Sequence, residues 1–216
     1  MYLITNANFT RELSVPNLSG SQSGNAEQLN LYGDEKPRLL LQMCLGSVLF
    51  TDFNSNVTNG VLDTDAPQKW KNLVNGCTYN TDKVWRGLKY TEGSFNISLL
   101  AYYTYWHWFN DNITISGVGG ELQLSTKNAN NVSPTPKLVD VWNKFLEMYQ
   151  GLGCDNVGLN RKMYDINGVL FVDYFNGGQN SNYVSLLQFL QDNPIDYPNP
   201  QLYTFEYGSN SNSLGL

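Results

Sequence analysis

The sequence predicts a mainly α protein with β-hairpins, an α+β fold. It reads as a small bundle of about four to five helices with a β-arm or hairpin and extended terminal segments. Three observations predict this. Apolar residues recur three or four apart over several segments of helical length. Two alternating stretches flank turn signals, Gly117-Val118-Gly119-Gly120 and Asn167-Gly168. Both ends of the chain are dense in Ser, Asn and Gly without a helical period. The 216 residues fit a single domain, 1–216, because one core usually holds roughly 100–200 residues.

Residues 1–24 read as an extended N-terminal arm, and a helical core spans 34–152. Asp34 is a good N-cap with Pro37 in the first turn, so a first helix is expected to run through Phe53. Leu41, Cys44, Leu45, Val48 and Leu49 lie along it at helical spacing. The Asn-rich stretch 54–60 ends it. Asp65 caps a short second helix that carries Trp70, Leu73 and Val74 and stops at Gly76. After a loop holding Trp85-Arg86-Gly87-Leu88, residues Ser94 to Asn110 read as a third helix. It is so aromatic (Phe95, Tyr102, Tyr103, Trp106, Phe109) that it must be enclosed on most sides. A hairpin is expected over 113–126, and Pro134 and Pro136 open a fourth helix through about Gly151. A second hairpin, within residues 155–178, turns at Asn167-Gly168. A fifth helix fits Asn182 to Gln191, a strand fits Leu202 to Tyr207, and 208–216 reads as a flexible C-terminal tail.

Composition narrows function before any motif does. Only 15% of residues are charged, and 13 Lys and Arg stand against 19 Asp and Glu, a net charge of −6. Such a chain is poorly suited to gripping phosphates, which disfavours a DNA-binding module. Uncharged hydrogen-bonding side chains and aromatics dominate instead, the makeup of interface cores, which makes an assembly subunit a live option. Cys44, Cys77 and Cys154 have neither metal-binding nor disulfide-framework spacing. No secretory signal and no apolar run near the ~18 residues of a membrane span is visible. A soluble chain made inside a cell is therefore expected.

The search for chemistry is short. His107 is the single histidine, and Asp111 lies four residues on, within reach on a helical face, but no nucleophile motif accompanies the pair. Packing is the expected role. Asp52, Asn54, Asn56 and Asp63 fall at calcium-loop positions 1, 3, 5 and 12, yet Val57 stands where the tight turn needs Gly. Asp165 and Asp173 could approach across the second hairpin as a glycosidase pair; a solvated face is the plainer reading. Of the tryptophans, Trp70, Trp106, Trp108 and Trp142 fall on expected helices at core spacing, which favours packing over sugar platforms, and Trp85 falls in a loop. Gly117 to Gly120 lacks any nucleotide-loop spacing. Sequons at Asn8, Asn56, Asn96 and Asn112 are what an Asn-, Ser- and Thr-rich composition produces by chance. No catalytic, cofactor-binding or metal-binding residue is assigned, and no cofactor is expected.

The order of short motifs is more informative. Leu45-Gly46-Ser47-Val48-Leu49-Phe50 is followed by Trp70-Lys71-Asn72-Leu73-Val74-Asn75-Gly76-Cys77-Thr78-Tyr79, and then by Trp85-Arg86-Gly87-Leu88-Lys89. Ala101-Tyr102-Tyr103-Thr104-Tyr105, Lys127-Asn128-Ala129-Asn130-Asn131-Val132-Ser133-Pro134 and Trp142-Asn143 complete the series. This pattern, over roughly residues 34 to 150, resembles the neck adaptor, or head-to-tail connector, proteins of tailed bacteriophages of the crAss-like type. The stretch 155–178 does not fit the compact form of that pattern, so against the resemblance it reads as an insertion. The resemblance implies a non-enzymatic structural virion protein. Such a protein forms a homo-oligomeric ring, commonly a dodecamer, at the neck below the portal protein and contacts other neck or tail proteins. Genomic DNA passes through its channel without specific binding, and no membrane is involved. The chain would be made in the host bacterial cytoplasm and end in the virion. The alternatives left open are a secreted or surface glycan-binding module, another tail or capsid accessory protein, and a glycan-cleaving enzyme acting through Asp165 or Asp173.

Overall fold

A computed structural model describes residues 1–15, 18, 24–112, 114–117, 120–123, 135–153, 163–166, 169–172 and 182–206. Among them are six α-helices and five small antiparallel or mixed sheets, the α+β architecture with hairpins that the sequence predicts.

The chain opens with two 3-10 turns, Asn6–Asn8 and Arg11–Leu13. Helix α1 then runs Gly24–Leu45 and α2 runs Ser47–Asn54. The expected single helix from Asp34 to Phe53 is corrected at both ends of α1. Asp34 does not cap, because the helix starts ten residues earlier, and Gly46, at φ 78°, breaks it where an uninterrupted helix was expected. Buried Leu29, Gly33, Pro37, Leu40, Leu41, Cys44 and Leu45 keep a helical stripe through the proline. Pro37 has no N–H, so the carbonyl four residues back, on Gly33, is left without its helical donor. The amide of Tyr2 fills that place at 2.8 Å.

Strands β1 (Val57–Thr58) and β2 (Val61–Leu62) form a ribbon whose turn, Asn59-Gly60, has φ 51° and 77°, the paired positive angles of a type I′ turn. Helix α3 (Gln68–Asn75) buries Trp70, Leu73 and Val74 and stops at Gly76, as expected, but its N-cap is Pro67 and not Asp65. Strands β3 (Cys77–Tyr79) and β4 (Lys83–Trp85) follow, where a loop was expected around Trp85. A Cβ on Gly76 would run into the backbone of Trp85 and Arg86, and one on Gly87 would lie 2.6 Å from the backbone of Val74 and Asn75. The helix end and the strand exit therefore meet backbone against backbone.

Strands β5 (Lys89–Glu92) and β6 (Phe95–Ser98) form a hairpin, and α4 is Leu99–Asn112. The third helix therefore starts later than its spacing implied. Ser98 stops the strand and receives the Ala101 amide at its hydroxyl, a cap that Phe95 and Leu99, four apart, disguise. Buried on most sides, α4 packs against α1 and against α5 (Thr135–Tyr149). The hairpin of β7 (Thr114–Gly117) and β8 (Gly120–Gln123) follows α4 along the chain, with Thr114 opposite Gln123. Strand β9 (Leu152–Gly153) pairs with the hairpin of β10 (Met163–Ile166) and β11 (Val169–Val172), which falls inside the 155–178 stretch. Strand β12 (Tyr183–Val184) lies parallel to β4, and α6 (Leu186–Asp192) starts at Ser185, whose hydroxyl accepts from the Gln188 amide. Residues 201–206 carry no strand, contrary to expectation. Their backbone is held by side chains: Gln150 both donates to the Phe205 carbonyl and accepts from its amide, each at 2.8 Å. The tail 208–216 lies outside the described residues.

The N-terminal arm is the largest departure. Residues 1–15 lie in the chain's own core, with Tyr2, Leu3, Ile4, Phe9, Leu13 and Val15 all buried. Apolar side chains that would be exposed on a free arm are removed from water here, each on the order of 1.5–3 kcal/mol for the large ones.

Candidate functional site

Where they are described, the chemistry-bearing residues singled out in the sequence make packing, ion-pair or hydrogen-bond contacts within the chain. His107 is half-buried between the edges of Tyr103 and Trp106, at 4.6 and 5.0 Å between ring centres. Its Nε2 has no hydrogen-bond partner among the described residues. Asp111 instead accepts from the Tyr32 hydroxyl at 2.8 Å. Burial, aided by Lys36, pulls the imidazole down to about 4, so it is neutral at physiological pH. In the calcium-like stretch, the Asp52 carboxylate pairs with Lys69 at 2.7 Å, and the Asn54 side-chain oxygen accepts from Tyr2 and Arg38 at 3.0 Å each. Those oxygens face protein cations and donors, and the stretch closes as the β1–β2 ribbon. Among the described residues no group of three or more His, Cys, Asp or Glu is placed to hold a metal ion. Asp165 sits opposite Leu170 in the hairpin register, while Asp173 lies outside the described residues.

Three of the tryptophans, Trp70, Trp85 and Trp108, are buried. Trp70 packs between Phe53 and Tyr197, and Trp85 stacks on Phe189 at 5.6 Å. Trp106 and Trp142 lie 4.6 Å apart at a 40° tilt, a packed pair and not a coplanar platform. Burial pushes the Cys44 thiol up to about 12, which leaves it unreactive at neutral pH.

A polar cleft was not singled out in the sequence. It has a volume of about 280 Å³ and lies where the second 3-10 turn meets β5, α4 and α5. Leu13 buries and pins that turn, which carries Glu12 over the two helices. Its carboxylate accepts from the Tyr102 hydroxyl and from Lys144 at 3.1 Å, and Lys144 also reaches Asp140 at 3.3 Å. Arg11 lies over the Phe95 ring, and Arg86 bonds Glu92 at 3.1 Å while lying over Tyr90 and Tyr183. Burial alone would raise the Glu12 carboxyl, but the bonds from Tyr102 and Lys144 outweigh it and hold it below its ordinary value. Burial and the same carboxylate push the Tyr102 phenol up, and Glu12 likewise raises Lys144 against its own burial. Around neutrality the trio is therefore anion, phenol and ammonium, a fixed clamp between the N-terminal segment and two helices.

A second feature is apolar. Leu45, Val48, Leu49, Pro198 and Gln201 line an open groove of about 410 Å³ at the α1–α2 break, and Val48 is 82% exposed. Ile195, three residues from Pro198, is 94% exposed.

The chain matches no family model, no curated protein and no solved structure.

Neither the clamp nor the groove is carried by a motif. The available signal for the first was the apolar set Tyr2, Leu3, Ile4, Phe9, Leu13 and Val15, too hydrophobic for a solvated arm, with Glu12 beside its last turn. For the groove it was Gly46 inside an otherwise helical stretch.

Proposed function

We propose that this chain is a structural protein of a tailed-phage virion, a head-to-tail connector. In this reading copies form a homo-oligomeric ring, twelve-fold, in the neck below the portal, extending the DNA channel and joining capsid to tail. It has no catalytic role. The motif order that resembles neck adaptors supplies the reading. One structural observation supports an assembly subunit: the described strands are split among five sheets of two or three, so the chain carries many outer strands that no further strand of its described residues pairs. Outer strands are templates for a neighbour's backbone, and a ring subunit needs two different side faces plus contacts above and below. Val48 and Ile195, exposed on α2 and on the turn after α6, add apolar contact surface.

On this reading Asn, Ser and Tyr, more than ion pairs, make the contacts between subunits. The acids concentrate where DNA or solvent passes. Native mass spectrometry and electron microscopy of the chain, alone and mixed with the portal protein of its virion, test it. A closed ring of about twelve copies on the portal is expected. A chain that stays monomeric and ignores the portal overturns the reading, as does a ring whose bore is lined by Lys and Arg.

A further inference from the structure

The N-terminal segment is bound to the rest of the chain as a peptide ligand is bound to a groove. Beyond its own turns, the segment's hydrogen bonds reach distant positions: the Tyr2 amide to Gly33, the Leu3 amide to Gly60 at 2.7 Å, the Tyr2 hydroxyl to Asn54, the Asn8 side chain to Asn96 and the Glu12 carboxylate to Tyr102 and Lys144. The groove is prepared for it. Pro37 leaves the Gly33 carbonyl open, and glycine at 33 and 60 lets Met1 lie where a Cβ would collide. Leu3 and Arg11 sit at φ 62° and 55°, a region unfavourable for such side chains, so the segment's shape is imposed by its seat. It is joined to α1 by eight residues, Pro16-Asn17-Leu18-Ser19-Gly20-Ser21-Gln22-Ser23, a sequence with the composition of a linker that could span roughly 26–29 Å if fully extended.

We infer that residues 1–15 are an exchangeable element, which seats in the same groove of a second copy of this chain. The occupant is fixed by chemistry: the one ligand the groove is shown to fit is this segment, and every copy carries it. Exchange reproduces each bond and each buried side chain, so it has no enthalpic penalty, and close neighbours raise the effective concentration that favours it. The inference goes beyond the neck reading, since any assembly of this chain brings copies together.

The test uses the clamp as a label on full-length chains. Glu12→Lys in one chain sets a cation against Lys144, and Lys144→Glu in another sets an anion against Glu12. Exchange between the two restores both opposite-charge pairs. The variants are unfolded together at high concentration, refolded and weighed by native mass spectrometry. A 1:1 heterodimer above its statistical share, melting higher than either variant alone, is expected. Separate species of each variant, with no heterodimer, overturn the inference. Should neither variant fold by itself, recovery of a folded heterodimer from the mixture supports exchange, and failure of the mixture counts against it. The test does not involve portal, so failure here leaves the neck reading standing.

Discussion

The two terminal segments, 1–15 and 193–206, solve the same problem in different ways. Both lack strands and long helices, and both bury aromatic or aliphatic anchors: Tyr2 against Phe53 at one end, Tyr197 against Trp70 and Phe205 against Tyr103 at the other. Both also dock on carbonyls that α1 cannot satisfy itself. Tyr2 takes the Gly33 carbonyl opened by Pro37. The amides of Gln201 and Leu202 take the Cys44 carbonyl, at 3.0 and 3.3 Å, where the helix stops before Gly46. The difference lies in what does the holding. The first segment is held by backbone bonds to glycines and by an ion clamp; the last, beyond its two bonds to Cys44, is held by side chains: Gln150, Tyr149 on the Tyr203 carbonyl and Trp142 on the Glu206 carbonyl. Backbone seats tolerate no added Cβ, whereas side-chain seats tolerate no lost amide.

The largest effect is expected at the backbone seat. Gly60→Ala forces a Cβ into the Met1 carbonyl at a positive φ and should cost roughly 3 kcal/mol. Tm should fall by roughly 6–12 °C for a chain of this size. Limited proteolysis should cut the first fifteen residues before the rest. An unchanged Tm would mean that the segment is not seated on Gly60.

At the other end, Gln150→Leu strands the Phe205 amide and carbonyl, and a loss of roughly 2–3 kcal/mol is expected by chemical denaturation. At low pH, where its carboxyl is protonated, Gln150→Glu should be milder, because it can still accept from the Phe205 amide and donate to its carbonyl. Equal losses in the two variants at that pH would show that the amide is not the holding group.

A third probe separates the ends by pH. His107 packs on Tyr103 and Trp106, at the edge of the cluster that receives Phe205. Its folded value is depressed to about 4, so the unfolded chain takes up a proton first, from about pH 6.5 downward. Stability present above that pH is lost progressively toward pH 4, and His107→Phe should flatten the fall in Tm across this window.

The smallest effect is at Glu12. Its depressed carboxyl contributes stability that is present above the ordinary carboxylate value, about 4.3, and lost as pH falls through the lower folded value. Glu12→Gln should cost about 1 kcal/mol at neutral pH, a figure discounted for the partly exposed partner Lys144. The gap to the unchanged chain should close under acid. A pH-independent gap would assign Glu12 a packing role only.

Much of the fold was legible because its signals are local. Trp70, Leu73 and Val74 before Gly76, Pro136 in the first turn of α5 and the alternating residues of β10 and β11 each act within a few residues. What was not legible depends on distant partners. Pro37 looked like a first-turn residue because nothing nearby reveals that Tyr2 satisfies the carbonyl it frees. Phe95 joined a helix on paper because Phe95 and Leu99 share both a strand-to-helix boundary and a helical interval. Asn59-Gly60 was read as a helix stop although its dipeptide also specifies a hairpin turn. The clamp escaped because Glu12, Tyr102 and Lys144 come from three elements and have no fixed spacing.

The meeting of Gly76 with Gly87 bears on how the chain tolerates change. In a packed pair of side chains, a larger residue on one side can be offset by a smaller one on the other. Here neither position has anything left to give. A saturation library scored for folding should therefore show two columns in which only glycine survives, with no compensating double variants. Gly93, in the β5–β6 turn with open space around its missing Cβ, should accept Asn or Asp.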